Sequence, residues 1–210
     1  VDGASNGSRW TREAAVVVPV ILGLWALVAA VEFSGVWIAQ HRGPFSYLRE
    51  VAYVYAVLLT AALALGVWRR GRPRWSIVAL VLSAALAVPV LTAGWPRLSI
   101  DAYYRQHRAD FAAAADANRL VPDDYYGLRL PPPLRHLSIE GAASRIGDGT
   151  GVLLPVWADY PDLPGAFVHP GGAPPTDIYR CYDSLYHFRW ALGDGWYWFE
   201  RDPVSWAAGR

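Results

Sequence analysis

Histidines, acids and one cysteine are the residues of this chain whose chemistry reaches beyond packing. The histidines are His41, His107, His136, His169 and His187. A zinc site needs several N or S ligands on one ion, and in sequence this usually shows as a short fixed spacing. The chain has no HExxH helix and no zinc knuckle, so no metal is expected. Cys181 is the sole cysteine, so no internal disulfide can form. It reads as a small packed side chain rather than as a nucleophile working with His187. Asp159, Asp162, Asp177, Asp183 and Asp194 would hold calcium only if their loops converged, and none sits in a twelve-residue calcium loop. Asp148 and Asp194 lie in Gly-rich turns, where Asp commonly caps its own backbone. There is no Gly-x-Ser-x-Gly, no phosphate-binding loop and no dinucleotide fingerprint. No catalytic residue and no cofactor follow from these motifs. An enzyme would need a spatial cluster that the spacing does not reveal.

Glu32 stands apart because of where it falls. It follows Val28-Ala29-Ala30-Val31 inside a long apolar run. A charge at bilayer depth is costly, so such a residue marks either an ion pair or a polar path. Its place near the end of the run favours pairing with Arg42 or Arg49. A proton or substrate path is the rival.

Three apolar runs cover residues 14–39, 50–68 and 75–95. Each approaches the roughly 20 residues that cross a hydrocarbon layer of about 30 Å. Helix is the form that satisfies their backbones internally. The first run is too long for a signal-peptide core and is expected to be retained. Pro19 falls in the first turns of span one, and Pro89 is expected to kink or end span three. Trp10, Trp37, Tyr47, Trp68, Trp75 and Trp95 fall near the run ends, where amphipathic rings favour the headgroup level.

The loop Arg69-Arg70-Gly71-Arg72-Pro73-Arg74 carries four Arg and no acid. Short Arg-rich loops stay cytoplasmic. With Arg9 and Arg12 ahead of the first span, this predicts a cytoplasmic N-terminus and an extracytoplasmic C-terminal region. Arg42 and Arg49 then lie in the outer loop. So short a basic loop between spans does not indicate nucleic-acid binding.

The whole-chain charge of +1 hides two halves. Residues 1–99 balance at +5 and residues 100–210 at −4, and every basic residue is Arg. The expected organisation is a three-span region over residues 1–98 and a small α+β extracytoplasmic domain over residues 99–210. In the domain, residues 100–120 read as a helix, with Ala112 to Ala115 as strong helix formers and Tyr103, Tyr104, His107 and Phe111 on one face. Pro131-Pro132-Pro133 reads as a rigid spacer. Residues 136–140 alternate like a strand, 152–157 and 166–169 read as further strands, and Tyr160 to Gly165 reads as a turn. Gly193-Asp194-Gly195 between two apolar runs predicts an antiparallel hairpin.

Nine aromatic residues fall within positions 179–199. On alternating strands some must face a core and others outward. Tyr182, Tyr186, Trp190, Trp196 and Trp198 are the candidate contacts for a partner or an envelope ligand.

The segments Asp101-Ala102-Tyr103-Tyr104, Leu134-Arg135-His136-Leu137-Ser138 and Leu192-Gly193-Asp194-Gly195-Trp196 resemble membrane proteins of Streptomyces-like actinobacteria. That resemblance implies a bacterial plasma-membrane setting and transfers no activity and no catalytic residue. The expected role is a membrane-anchored accessory or binding protein, embedded in the lipid bilayer and contacting a membrane protein partner or a second copy of itself. The alternative is a membrane-anchored enzyme acting on an envelope or lipid substrate. A flat exposed aromatic patch would favour the first, and a cluster of acids with a His in a cleft the second.

Overall fold

A computed structural model describes residues 5–35, 47–123, 127–156, 165–181 and 184–202. Side chains of residues 5–14, Cys181 and Ser184 are not described. Trp37, His41, Arg42, Asp159, Asp162, Tyr182, Asp183 and most of the 160–165 turn therefore lie outside the described residues, as do the side chains of Trp10 and Cys181.

The chain divides into two units, residues 1–34 with 47–95 and residues 35–46 with 96–210. The first is a bundle of α1 (Ser5–Phe33), α2 (Leu48–Arg69) and α3 (Pro73–Thr92), each in contact with the other two. All three are long and apolar enough to cross a membrane, and the chain is a membrane protein. Pro19 falls in the first turns of the apolar span Ala15–Phe33 as expected, but helix α1 starts earlier, at Ser5, so the proline is interior to the helix. Spanning helices tolerate this because neighbours and local adjustments absorb the lost hydrogen bond. Pro89 likewise sits inside α3, which runs on to Thr92.

Two devices set the boundaries at the Arg loop. Gly71 adopts a left-handed conformation at φ 73°. Its N–H reaches the Trp68 carbonyl at 2.9 Å, and the Arg72 N–H reaches Val67 at 3.3 Å. That pair of bonds satisfies two carbonyls left orphaned at the end of α2. Pro73 then opens α3, where its missing N–H costs nothing.

Inside the bundle the contacts are small and polar. The Trp25 indole N–H donates to Ser83 Oγ at 2.7 Å, and Thr60 lies 3.4 Å from the same hydroxyl. One hydroxyl thus links α1, α2 and α3. Ala52, Ala56, Ala64 and Ala79 are buried and let the backbones approach. Most large apolar side chains, among them Leu27, Val54, Leu58 and Val81, point outward as lipid-facing residues should.

The second unit is an α+β domain. Its described elements are α4 (Trp95–Gln106), of which all but Trp95 belongs here, α5 (Arg108–Ala114), short 3-10 turns and an antiparallel sheet of eight strands. The strands are β1 (Val121–Asp123), β2 (Gly127–Arg129), β3 (Ala142–Ile146), β4 (Gly151–Val156), β5 (Gly165–His169), β6 (Ile178–Cys181), β7 (Ser184–Gly193) and β8 (Trp196–Arg201), in the order β1-β2-β3-β4-β5-β8-β7-β6. The expected 100–120 helix is present but broken at His107, and it passes into a 3-10 turn at Ala117–Arg119.

Residues 136–140 are not a strand. They fall in two 3-10 helices, Pro132–Leu137 and Ile139–Gly141, with Ser138 extended between them. The alternation is produced by turns that bury Leu134, Leu137 and Ile139 in succession. Glu140 takes a left-handed φ of 51°, which no strand permits. The proline run opens the first of these helices.

The hairpin of β7 and β8 has the expected two-residue loop. Asp194 and Gly195 both have positive φ, at 51° and 78°. That geometry matches the twist of the flanking strands and requires residues such as Asp and Gly. The register shifts between Phe188 and Trp190. This bulge moves the side chain of Trp190 to the opposite face from Phe188.

The sheet therefore has two apolar sides. On one, Val152, Leu154, Phe167, Trp196 and Trp198 pack with Tyr103, Tyr104 and Phe111 from α4 and α5. On the other, Leu153, Val168, Tyr186 and Phe199 cluster, with Tyr179 and Tyr197 at the margin. The hairpin turn is tied to α4 by the Tyr104 hydroxyl, which lies 3.0 Å from both the Gly193 carbonyl and the Asp194 carboxylate. Arg108 holds the same carboxylate from the other side at 2.7 Å.

These contacts leave a signature in pH. Burial, then the Asp194 contact, pushes the Tyr104 phenol up to about 12. A phenol whose folded pKa exceeds its unfolded value near 10 contributes stability that is complete below pH 10 and lost as pH rises through about 12. Alkaline unfolding monitored by tryptophan fluorescence should therefore steepen above about pH 10. In Tyr104→Phe that added slope should vanish. An unchanged alkaline profile would show that Tyr104 does not carry it.

Candidate functional site

The fold assembles what the sequence spacing leaves apart. His107 stands at the break between α4 and α5, and Asp110 lies three residues on, in the first turn of α5. The two therefore share a face. His136 comes from the 3-10 helix Pro132–Leu137, whose buried Leu134 and Leu137 fix it to the core. Its backbone is held as well, since the Tyr103 hydroxyl donates to the His136 carbonyl at 2.6 Å. The Tyr103 ring packs on His107 with centroids 4.6 Å apart, and the two imidazoles lie 4.8 Å apart.

Both histidines converge on one carboxylate oxygen. His136 Nε2 lies 3.1 Å and His107 Nδ1 lies 3.4 Å from Asp110 Oδ2. The far nitrogen of His136, Nδ1, is 3.1 Å from the Pro133 carbonyl. A carbonyl and a carboxylate both only accept, so each ring nitrogen of His136 faces an acceptor and a single ring hydrogen can serve only one of them. The ligand atoms of His107, Asp110 and His136 all fall within 4.8 Å of one another and could hold a metal ion. In sequence, only the His107–Asp110 spacing was available as a signal. His136 comes 26 residues later, and its placement depends on turns that read as a strand.

A second polar feature is a cleft of about 260 Å³ lined by Asp116, Asn118, Thr150, His169 and their neighbours. Burial pushes the His169 imidazole down, toward the neutral form. Its Nδ1 accepts from the Gly171 N–H at 3.3 Å, which leaves the hydrogen on Nε2. His169 thus offers a donor there and no basic lone pair. Asp116 is occupied by the Asn118 N–H and by Arg119, and Asp148 by Thr150. The Thr150 contacts hold the Asp148 carboxyl below the usual carboxylate range. The cleft suits binding of a small acceptor group better than acid–base chemistry. His187 pairs with Asp202 at 3.5 Å, and both side chains are partly exposed.

The aromatic contact candidates are distributed unevenly. Tyr186, Trp196 and Trp198 are core residues, exposed by no more than 3%. Trp190 is half-buried: its indole N–H donates to Asp101 at 3.0 Å, and Arg97 lies over its ring. What faces out is Phe188, 40% exposed, with Tyr179 and Tyr197 partly exposed on the same side. Phe188 and Tyr179 both lean on the Phe199 ring beneath.

Glu32, at the end of α1, pairs with Arg49 on α2 at 2.6 Å. Its side chain is 9% exposed. No protein-family model, characterised protein or solved structure matches this chain.

Proposed function

We propose that this chain is a membrane-anchored accessory protein of a bacterial plasma membrane, with its N-terminus cytoplasmic and its aromatic domain outside, where it binds a membrane protein partner or a second copy of itself. The supporting observation is the aromatic side of the sheet: Phe188 stands exposed over Phe199 and is flanked by Tyr179 and Tyr197. Exposed rings on a rigid, buried base are the composition of contact cores. The cleft at His169 offers no acid–base pair, the histidines beside Asp110 are the feature that speaks for the enzyme alternative, and the exposed aromatic side of the sheet favours binding.

The test joins topology to assembly. In a Cys181→Ser background, a membrane-impermeant thiol label on intact cells should reach a cysteine placed at Gly172 and miss one placed at Arg72. After gentle detergent extraction, wild type should elute as a complex, and Phe188→Ser should shift it to the monomer size. Wild type found only as a monomer would sink the partner reading. Labelling of Arg72→Cys alone would reverse the orientation.

A further inference from the structure

We infer that His107, Asp110 and His136 form a binding site for one divalent transition-metal ion of the zinc class, with at least one coordination position open to solvent. This does not depend on the partner reading, because the site lies on a different part of the domain from Phe188.

The first argument is electrostatic. Both ring nitrogens of His136 face acceptors at 3.1 Å, the Pro133 carbonyl and the Asp110 carboxylate, and one ring hydrogen can serve only one of them. Two acceptors at hydrogen-bond distance repel unless a cation lies between them. His107 contributes a third group to the same Oδ2 at 3.4 Å. Its hydrogen can satisfy one approach to Asp110 and leaves the His136 approach uncompensated. A metal ion bound by all three groups would remove that repulsion.

The second argument concerns the surrounding shell. Metal-ligating histidines almost always donate their other ring N–H to a carbonyl or carboxylate, which fixes the tautomer and orients the ring. The His136 contact with Pro133 has that form. The carbonyl sits in a 3-10 helix opened by prolines and pinned by Leu134, Leu137 and the Tyr103 hydroxyl. His107 is braced by the Tyr103 ring. A single buried tyrosine thus packs on the His107 ring and holds the His136 backbone.

The third argument is dimensional. Bonds of about 2.0–2.2 Å in a tetrahedral site place neighbouring ligand atoms roughly 3.4 Å apart. The two His-to-Asp separations, 3.1 and 3.4 Å, already match. Only the two imidazole nitrogens must close in, chiefly by rotation of His136, the more exposed of the two rings. Two imidazoles and one carboxylate suit zinc, copper or nickel better than calcium or magnesium, which prefer all-oxygen shells. Asp110 and His136 side chains are 42% and 39% exposed, so water or an exogenous ligand can complete the shell.

The experiment is a calorimetric titration of Zn²⁺ into the untagged full chain in detergent micelles, after treatment with chelator. The expected result is saturable binding of one ion per chain, weakened about tenfold or more in His107→Ala, Asp110→Asn and His136→Ala. His187→Ala should bind as wild type does. Asp110→Asn keeps the shape of the side chain, and its circular dichroism establishes that the fold persists. A readout independent of variants is nitrogen NMR of the wild-type imidazoles, in which His107 and His136 should shift on Zn²⁺ addition while His169 stays. No saturable binding, or binding unaltered in all three variants, would overturn the site. So would His107 and His136 resonances unmoved by Zn²⁺.

Discussion

Phe111→Ala is expected to cost the domain about 3–5 kcal/mol, the usual range for truncating a fully buried aromatic ring. Phe111 is wholly buried. Its ring meets Phe167 at 4.7 Å, Trp196 at 5.0 Å, Tyr104 at 5.1 Å and Tyr103 at 6.2 Å. It is the point where α4, α5, β5 and β8 come together. Helix α5 has only seven residues, too few to stand on its own hydrogen bonds, and Phe111 and Ala114 are its buried side chains. Alanine is the better helix former by about half a kcal/mol, so propensity offsets only a small part of the loss. Small domains hold about 5–15 kcal/mol in total, so the variant should unfold at much lower denaturant. Tryptophan fluorescence is the measure, because Trp196 loses an edge contact and should report the transition directly. A midpoint equivalent to less than about 1 kcal/mol of loss would mean that the site collapses to fill the gap, or that Phe111 is not the keystone.

The packing around Phe111 was open to reading because Tyr103, Tyr104, His107 and Phe111 recur at helical spacing, and the short break at His107 does not move them off one face. The spans were legible for a stronger reason: a backbone in hydrocarbon has one economical way to satisfy itself. The Asp194-Gly195 turn was legible because few residues accept positive φ at both positions. Other features depended on tertiary context. Alternation predicts faces only while the register is unbroken, and the bulge at Arg189 changes which side Trp190 occupies. A count of aromatics therefore could not tell the core rings Tyr186, Trp196 and Trp198 from the exposed Phe188. Residues 136–140 alternate in hydrophobicity like a strand, yet the proline run starts 3-10 turns that bury the same residues with a different period. That difference brings His136 onto Asp110, a meeting that spacing alone does not encode.

Glu32 is where a bland structural role and a functional one make opposite predictions. If the Arg49 pair is its purpose, Arg49→Ala should destabilise the bundle by about 3 kcal/mol, since it strands a carboxylate that is 9% exposed. The figure belongs at the low end for a buried pair because Arg49 is itself 33% exposed. Glu32→Leu should cost less, about 1–2 kcal/mol, because the guanidinium it releases is 33% exposed and can turn to water. The double variant Glu32→Leu/Arg49→Leu then decides the matter. Removing both charges removes the desolvation cost together with the attraction, and such replacements are often neutral or stabilising. The double variant should therefore recover to within about 1 kcal/mol of wild type in equilibrium unfolding of the micelle-solubilised chain. A double variant as unstable as the singles would show that Glu32 and Arg49 act through other contacts. Stable singles would reject the brace altogether and return Glu32 to the polar-path reading, because an intramembrane carboxylate without a structural task is kept for what it can carry.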